Sequence, residues 1–106
     1  MYNPELFKGT LKTIVLHLLH KHGKLYGYEI VKLVKDISKD QLQLTEGALY
    51  PTLHKLEKLG FVQTESFYTG KRIRKYYNLS DKGKINAVQN KEDFSEFVSV
   101  IKKILK

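Results

Sequence analysis

Apolar positions along the chain change their period as the chain proceeds. Phe7, Leu11, Ile14, Val15 and Leu18 recur at helical spacing. Ile30, Leu33, Val34 and Ile37 repeat at i, i+3, i+4 and i+7, while Lys32, Lys35 and Asp36 fall off that stripe toward water. Leu49, Leu53 and Leu56 make a third helical face. The spacing then shortens, and residues 61–68 and 73–80 read as two strands around the turn Thr69-Gly70-Lys71. On the second strand Ile73, Tyr77 and Leu79 share one face, and Arg74, Tyr76 and Asn78 share the other. A helical period returns after Ser80.

Capping and breaking residues punctuate this pattern. Asn3 is suited to cap a helix whose first residue is Pro4, where a missing N–H costs nothing, and Gly23 ends that helix after His22. The second helix starts near Tyr26, and polar residues from Ser38 to Gln43 form a turn. Thr45 is an N-cap for the third helix, Gly60 stops it, and Ser80 caps the last one. The outward face of the third helix carries Gly47, Pro51, His54, Lys55 and Lys58. A proline several residues inside a helix costs about 3 kcal/mol or more. Gly47 and Pro51 together on the face away from the core predict close approach to something large. The alternative is a helix that starts later, at Leu49.

The last segment has two apolar faces. Ile85 and Val88 project to one side, and Phe94, Phe97, Val98, Ile101, Ile104 and Leu105 nearly opposite. The change falls near Asn90, before Glu92 and Asp93, which suit a helix start. Two readings fit: two short helices, or one long helix. In the second, the first half packs on its own domain and the second half on another subunit.

Charge sharpens the picture. The 106 residues suffice for one domain, and 42% are hydrophobic, enough for a folded core. Nineteen basic residues against eleven acidic ones give a net charge of +8, which favours polyanionic partners. Residues 61–80 hold four basic residues and one acidic residue, against nine and six in residues 1–60, so the hairpin is the densest positive stretch. Lys71, Arg72, Arg74 and Lys75 are placed to pair with phosphates, and arginine also enters minor grooves.

Other chemistry finds little footing. No cysteine is present, so no disulfide framework or thiolate metal site is expected. His17 and His20 lie one turn apart, but no third ligand shares their face, and no metal site or other cofactor is expected. There is no glycine-rich phosphate loop and no catalytic constellation. Glu29, Glu46 and Glu57 read as surface pairs or caps, so no catalytic residue is assigned and an enzyme is not expected. No apolar run reaches the ~18 residues of a membrane span. The start, Met1-Tyr2-Asn3-Pro4-Glu5, is not a signal peptide, and the expected location is cytoplasmic.

Helix, turn, helix and basic hairpin, in that order, predict a mainly α fold with a small β-hairpin. The arrangement is a winged helix-turn-helix over residues 1–80, followed by a C-terminal helical dimerisation segment over residues 81–106. The third helix would enter the major groove of double-stranded DNA, with Thr45, Tyr50, Thr52, His54 and Lys55 able to bond base edges or phosphates. Tyr50 and Thr52 sit at the boundary of its buried face. The alternative is a winged helix used as a protein-interaction or RNA-binding module, and the basic wing weighs against it.

The residues that carry this layout resemble the PadR-like transcriptional regulators. The resemblance runs from Leu11-Lys12-Thr13-Ile14-Val15-Leu16 through Tyr26-Gly27-Tyr28-Glu29-Ile30 and Gly47-Ala48-Leu49-Tyr50-Pro51-Thr52-Leu53. It continues through Leu56-Glu57-Lys58-Leu59-Gly60 and Arg74-Lys75-Tyr76-Tyr77 to Leu79-Ser80-Asp81-Lys82-Gly83. Each motif alone is weak; six in order at the right spacing are strong. The resemblance implies a homodimer that binds a palindromic operator, usually as a repressor. It places Tyr50, Pro51, Thr52 and His54 on the recognition helix, puts Lys71, Arg72 and Arg74 on the wing, and favours one long last helix.

The single short C-terminal segment resembles the compact subgroup. In some drug-binding members of that subgroup a tryptophan on the last helix stacks on a flat ligand between subunits. This chain has no tryptophan, and Phe94 falls at the similar place with Phe97 and Ile101 beside it. Phe94, Phe97, Val98, Ile101, Ile104 and Leu105 are therefore assigned to a dimer core. If the dimer encloses a pocket, its effector is a small aromatic or apolar molecule.

Overall fold

The structure is a computed structural model in which residues 4–106 are described, so the cap expected from Asn3 lies outside the described residues. A short helix α1 (Pro4–Lys8) leads into α2 (Leu11–His22). The two were expected as one helix. A turn separates them: the Thr10 N–H and hydroxyl both donate to the Phe7 carbonyl, at 2.9 and 2.7 Å, and divert the chain at Gly9 and Thr10. Helix α2 then buries Leu11, Val15, Leu16, Leu18 and Leu19. At ~100° per residue these positions cover more than one side, so α2 needs partners around much of its circumference. Gly23, at φ +84°, ends it in the left-handed region that favours glycine.

Three strands and three helices follow, several of which supply those partners. They are β1 (Lys24–Tyr26), α3 (Gly27–Ile37), α4 (Glu46–Lys58), β2 (Val62–Thr69), β3 (Arg72–Leu79) and α5 (Asp81–Ile104). The sheet is antiparallel in the order β1-β3-β2. Strand β1 was not expected, because three residues are too few to display an alternation. Its Leu25 is buried, and it pairs with β3 over Tyr76 to Asn78. The hairpin turns at Gly70, at φ +64°.

The expected caps hold α4 in place. Thr45 Oγ1 accepts from the Ala48 N–H at 3.2 Å, so the helix starts at Glu46 and not at Leu49. Leu49, Leu53 and Leu56 then close on Ile30 and on Val15, Leu16 and Leu19, all nearly inaccessible to solvent. Ile37, read as the end of the α3 stripe, is exposed. The chain turns immediately after it, with Lys39 and Asp40 at positive φ, and Leu44 enters the core instead. Ile73 is also exposed although it shares a face with buried Tyr77 and Leu79, because the hairpin overhangs the core.

Residues 81–104 form one helix. Ser80 Oγ accepts from the Gly83 N–H at 3.0 Å and donates to the Gly60 carbonyl at 2.6 Å, which ties the start of α5 to the end of α4. The packed side is not the one marked by Ile85 and Val88, which are exposed; it is marked by Gly83 and Ala87. Small residues are required because α5 lies against the backbone of Phe61. A Cβ at Gly83 would collide with the Phe61 carbonyl. No residue of α5 beyond Ala87 is fully buried. No helix among the described residues is long and apolar enough to cross a membrane. The Gly83 contact yields a direct expectation: Gly83→Ala loses about 2–3 kcal/mol of stability in urea denaturation, although alanine favours helix. An unchanged midpoint would show that α5 is not held at that distance.

Candidate nucleic-acid interface

Burial of Leu49, Leu53 and Leu56 dictates what α4 presents outward. Gly47, Tyr50, Pro51, His54, Lys55 and Lys58 are all exposed, and Thr52 is half-buried. These side chains do not have equal freedom. The Thr52 hydroxyl donates to the Ala48 carbonyl one turn back at 3.1 Å, which leaves its oxygen only as an acceptor. The ring of Tyr50, 38% exposed, leans on the start of α3: a Cβ added to Gly27 would lie 2.5 Å from its hydroxyl. Tyr50 therefore locks the two helices of the pair together, and Gly27 makes room for it. Thr45 is spent as the cap of α4. His54, Lys55 and Lys58 have no such tie among the described contacts.

Gly47 and Pro51 are adjacent on the open side of α4. A Cβ at Gly47 would meet nothing closer than Thr45 Oγ1 at 4.0 Å, so the fold itself does not demand glycine there. Pro51 lacks the N–H that would bond the Gly47 carbonyl, and it lies inside the helix. Two residues that weaken the helix thus lie together on its exposed side, and no intramolecular contact requires glycine at 47.

The wing is anchored at its root and free at its tip. Thr64 donates to Glu57 Oε2 of α4 at 3.4 Å. Burial, followed by the nearby Tyr50 and Glu57, raises the Tyr77 phenol above its ordinary pKa, so it stays neutral. On the outer face of the sheet, Tyr26 meets Tyr76 edge-on at 5.4 Å, and Phe67 meets Tyr76 in the same way. Cations cover both ends of this row. The Arg74 guanidinium lies 4.6 Å from the Tyr26 ring centroid, and Lys24 lies 4.7 Å from Phe67 while pairing with Glu65 at 3.0 Å. Arg74 is half-buried and braced beside the N-terminus of α3, whereas Lys71 and Arg72 are exposed at the tip. Sequence reading did not find this row. Its signal lies in the alternate positions Phe67, Arg74 and Tyr76, but Tyr26 joins them only through β1.

The remaining candidates lie elsewhere. Phe94 and Val98 are half-buried, and Phe97, Ile101, Ile104 and Leu105 are exposed along the second half of α5. A groove of about 380 Å³ between α2, α3 and α5 has Ile14, Leu18, Val34, Ile37 and Leu42 among its lining residues, with His17 at its rim. Burial, then the positive charges of Lys91, Lys21, His20 and His22, lowers the His17 pKa from its ordinary 6.5. Among the described residues no three of His, Cys, Asp or Glu come together as metal ligands. Glu29 accepts from the Tyr26 N–H at 3.0 Å and Glu57 from Thr64, so both carboxylates serve the fold.

Residues 15–89 match the transcriptional regulator PadR-like family. The chain belongs to that family. It is similar to a transcriptional regulator of known structure from Clostridium thermocellum, with 30% identity, full coverage of both chains and a TM-score of 0.83. It is also similar to PadR of Bacillus subtilis, solved in complex with operator DNA. There the identity is 32% over 74% of this chain and 45% of that one, with a TM-score of 0.67. The transcriptional regulator Rv3488 of Mycobacterium tuberculosis is 28% identical over 76% of this chain and 75% of its own length. In this PadR-like chain, removing the two weak positions of α4 should strengthen the fold. Pro51→Ala is expected to raise stability by about 1–3 kcal/mol, and Gly47→Ala by about 0.5–1 kcal/mol. Thermal denaturation reads both; a loss of stability in either would mean that the residue serves the fold.

Proposed function

We propose that this chain is a homodimeric repressor that binds a palindromic operator in double-stranded DNA. The observation that carries this reading is the open side of α4, where Gly47 and Pro51 weaken the helix without serving the core, beside a wing whose tip carries Lys71 and Arg72. A smooth, shallow helix face can approach the floor of a major groove, and the wing can reach the neighbouring phosphates. His54, Lys55 and Tyr50 are the base-edge candidates. Thr52 supports the helix and offers its oxygen only as an acceptor, whereas Thr45, accepting from the Ala48 N–H, keeps its hydroxyl proton free to donate. Lys71 and Arg72 take phosphates, and Arg74 takes one while remaining stacked on Tyr26. The operator complex of the B. subtilis relative supports DNA as the partner.

Dimerisation would occur through the second half of α5. Phe97 and Ile104 are 60% and 71% exposed, and a monomer rarely leaves such an apolar row in water. A small aromatic or apolar effector held between the subunits would act by favouring one spacing of the two α4 helices over another.

Fluorescence-anisotropy titration tests the DNA reading, using the duplex upstream of the chain's own gene and a scrambled duplex. The expected preference is about 10³-fold. Arg72→Ala should weaken binding to both duplexes and reduce the salt slope by about 1, whereas His54→Ala should lose about 1–3 kcal/mol of preference for the upstream duplex. Unchanged affinity in both variants would remove these contacts. Sedimentation should show a dimer at micromolar concentration that Phe97→Glu/Ile101→Glu dissociates. A monomeric wild-type protein would sink the dimer assignment.

A further inference from the structure

The tip of the wing carries an apolar pair that its basic residues do not explain. Tyr68 and Ile73 stand directly opposite each other in the β2–β3 register. At 80% and 62% exposure they are the least covered apolar side chains of the sheet. They do not extend the core. Outward along β3, the side chains on their face are Leu79, Tyr77, Lys75 and Ile73. Lys75 Nζ lies 5.6 Å from the Tyr77 ring centroid, so a cation separates the tip from the buried root. Ile73 is four residues beyond Tyr77, ~13 Å along the strand.

This face looks to the side on which α4 stands, because at its root Thr64 bonds Glu57 of α4. Lys71, Arg72, Arg74 and Lys75 all fall within two residues of Ile73, and no acidic residue occurs between Ser66 and Ser80. An apolar protein surface closing on this tip would have to desolvate Lys75, which shares the face of Ile73, and Lys71 in the turn, without partners. A duplex minor groove offers what the tip needs: apolar sugar walls between two rows of phosphates.

We infer that Tyr68 and Ile73 form an apolar wedge that packs against the deoxyribose walls of a minor groove, while the neighbouring cations hold the flanking phosphates. The inference rests on the duplex-binding reading above and adds a contact that salt does not screen. A cross-strand pair also steadies its hairpin by about 0.2–1 kcal/mol, so the substitution must keep the strand. Threonine does so while removing the apolar surface.

The experiment is an anisotropy titration across a salt series on the duplex that the wild-type protein prefers. Tyr68→Thr/Ile73→Thr is expected to bind about tenfold more weakly, a loss of about 1.4 kcal/mol, with an unchanged salt slope. Tyr68→Phe should bind as the wild-type protein does. Sedimentation and circular dichroism of the double variant should match the wild type. Affinity within about twofold of wild type in the double variant would overturn the wedge. So would a loss that comes with a shallower slope, or an altered association state. Wild-type preference for the duplex alongside any of these results leaves the regulator reading standing and removes the wedge alone. Wild-type protein that prefers no duplex overturns both.

Discussion

Everything in this molecule is hung on α2. Its buried leucines and valine point to more than one side, so α4 and the sheet must close on it while α5 crosses it elsewhere. The apolar burial that fixes α2 is not local to the exposed face of α4, yet it determines that face. Once Leu49, Leu53 and Leu56 are committed to the core, the rest of α4 has no choice about what it shows. The same constraint sets the wing, because Val62, Tyr77 and Leu79 root the hairpin in that core and leave its far end beyond it.

The polar contacts tune what this burial arranges. Thr45 and Ser80 cap α4 and α5, and Ser80 also clasps the Gly60 carbonyl, so the two helices are joined at one corner. Tyr50 rests on Gly27 at the start of α3, and Arg74 rests on Tyr26 one residue before it. The helix pair and the wing are thereby referenced to the same few atoms at the N-terminus of α3. A reader of duplex DNA needs such a reference, because groove and phosphate contacts must be made together.

Much of this was legible in the residues themselves. The leucine stripe of α4, its Thr45 cap, the Gly60 stop and the Gly70 turn are each specified by local chemistry, and the structure adopts them. What escaped was set by tertiary context. Strand β1 is too short to display a period, and the Tyr26 row exists only because that strand is present. Ile37 and Ile73 sit on the right faces, but each lies at the end of an element that overhangs the core. Ile85 and Val88 mark an apolar side of α5, yet the approach of its backbone to Phe61 selects the side bearing Gly83 and Ala87. Hydrophobic period reports which residues share a face, and close packing of backbones decides which face is used. The open side of α4 could be drawn from the period alone. Its significance required the structure, which shows that no intramolecular neighbour calls for Gly47.

In the proposed dimer, α4 and the wing of each subunit would read a specific duplex as a symmetric pair. Selection of binding sites from a random duplex library by the wild-type protein tests it most directly. The expected result is enrichment of an inverted repeat whose half-site centres lie about one helical turn, or a whole number of turns, apart. Recovery of unenriched sequence, or of a single motif without a mirrored partner, would contradict it.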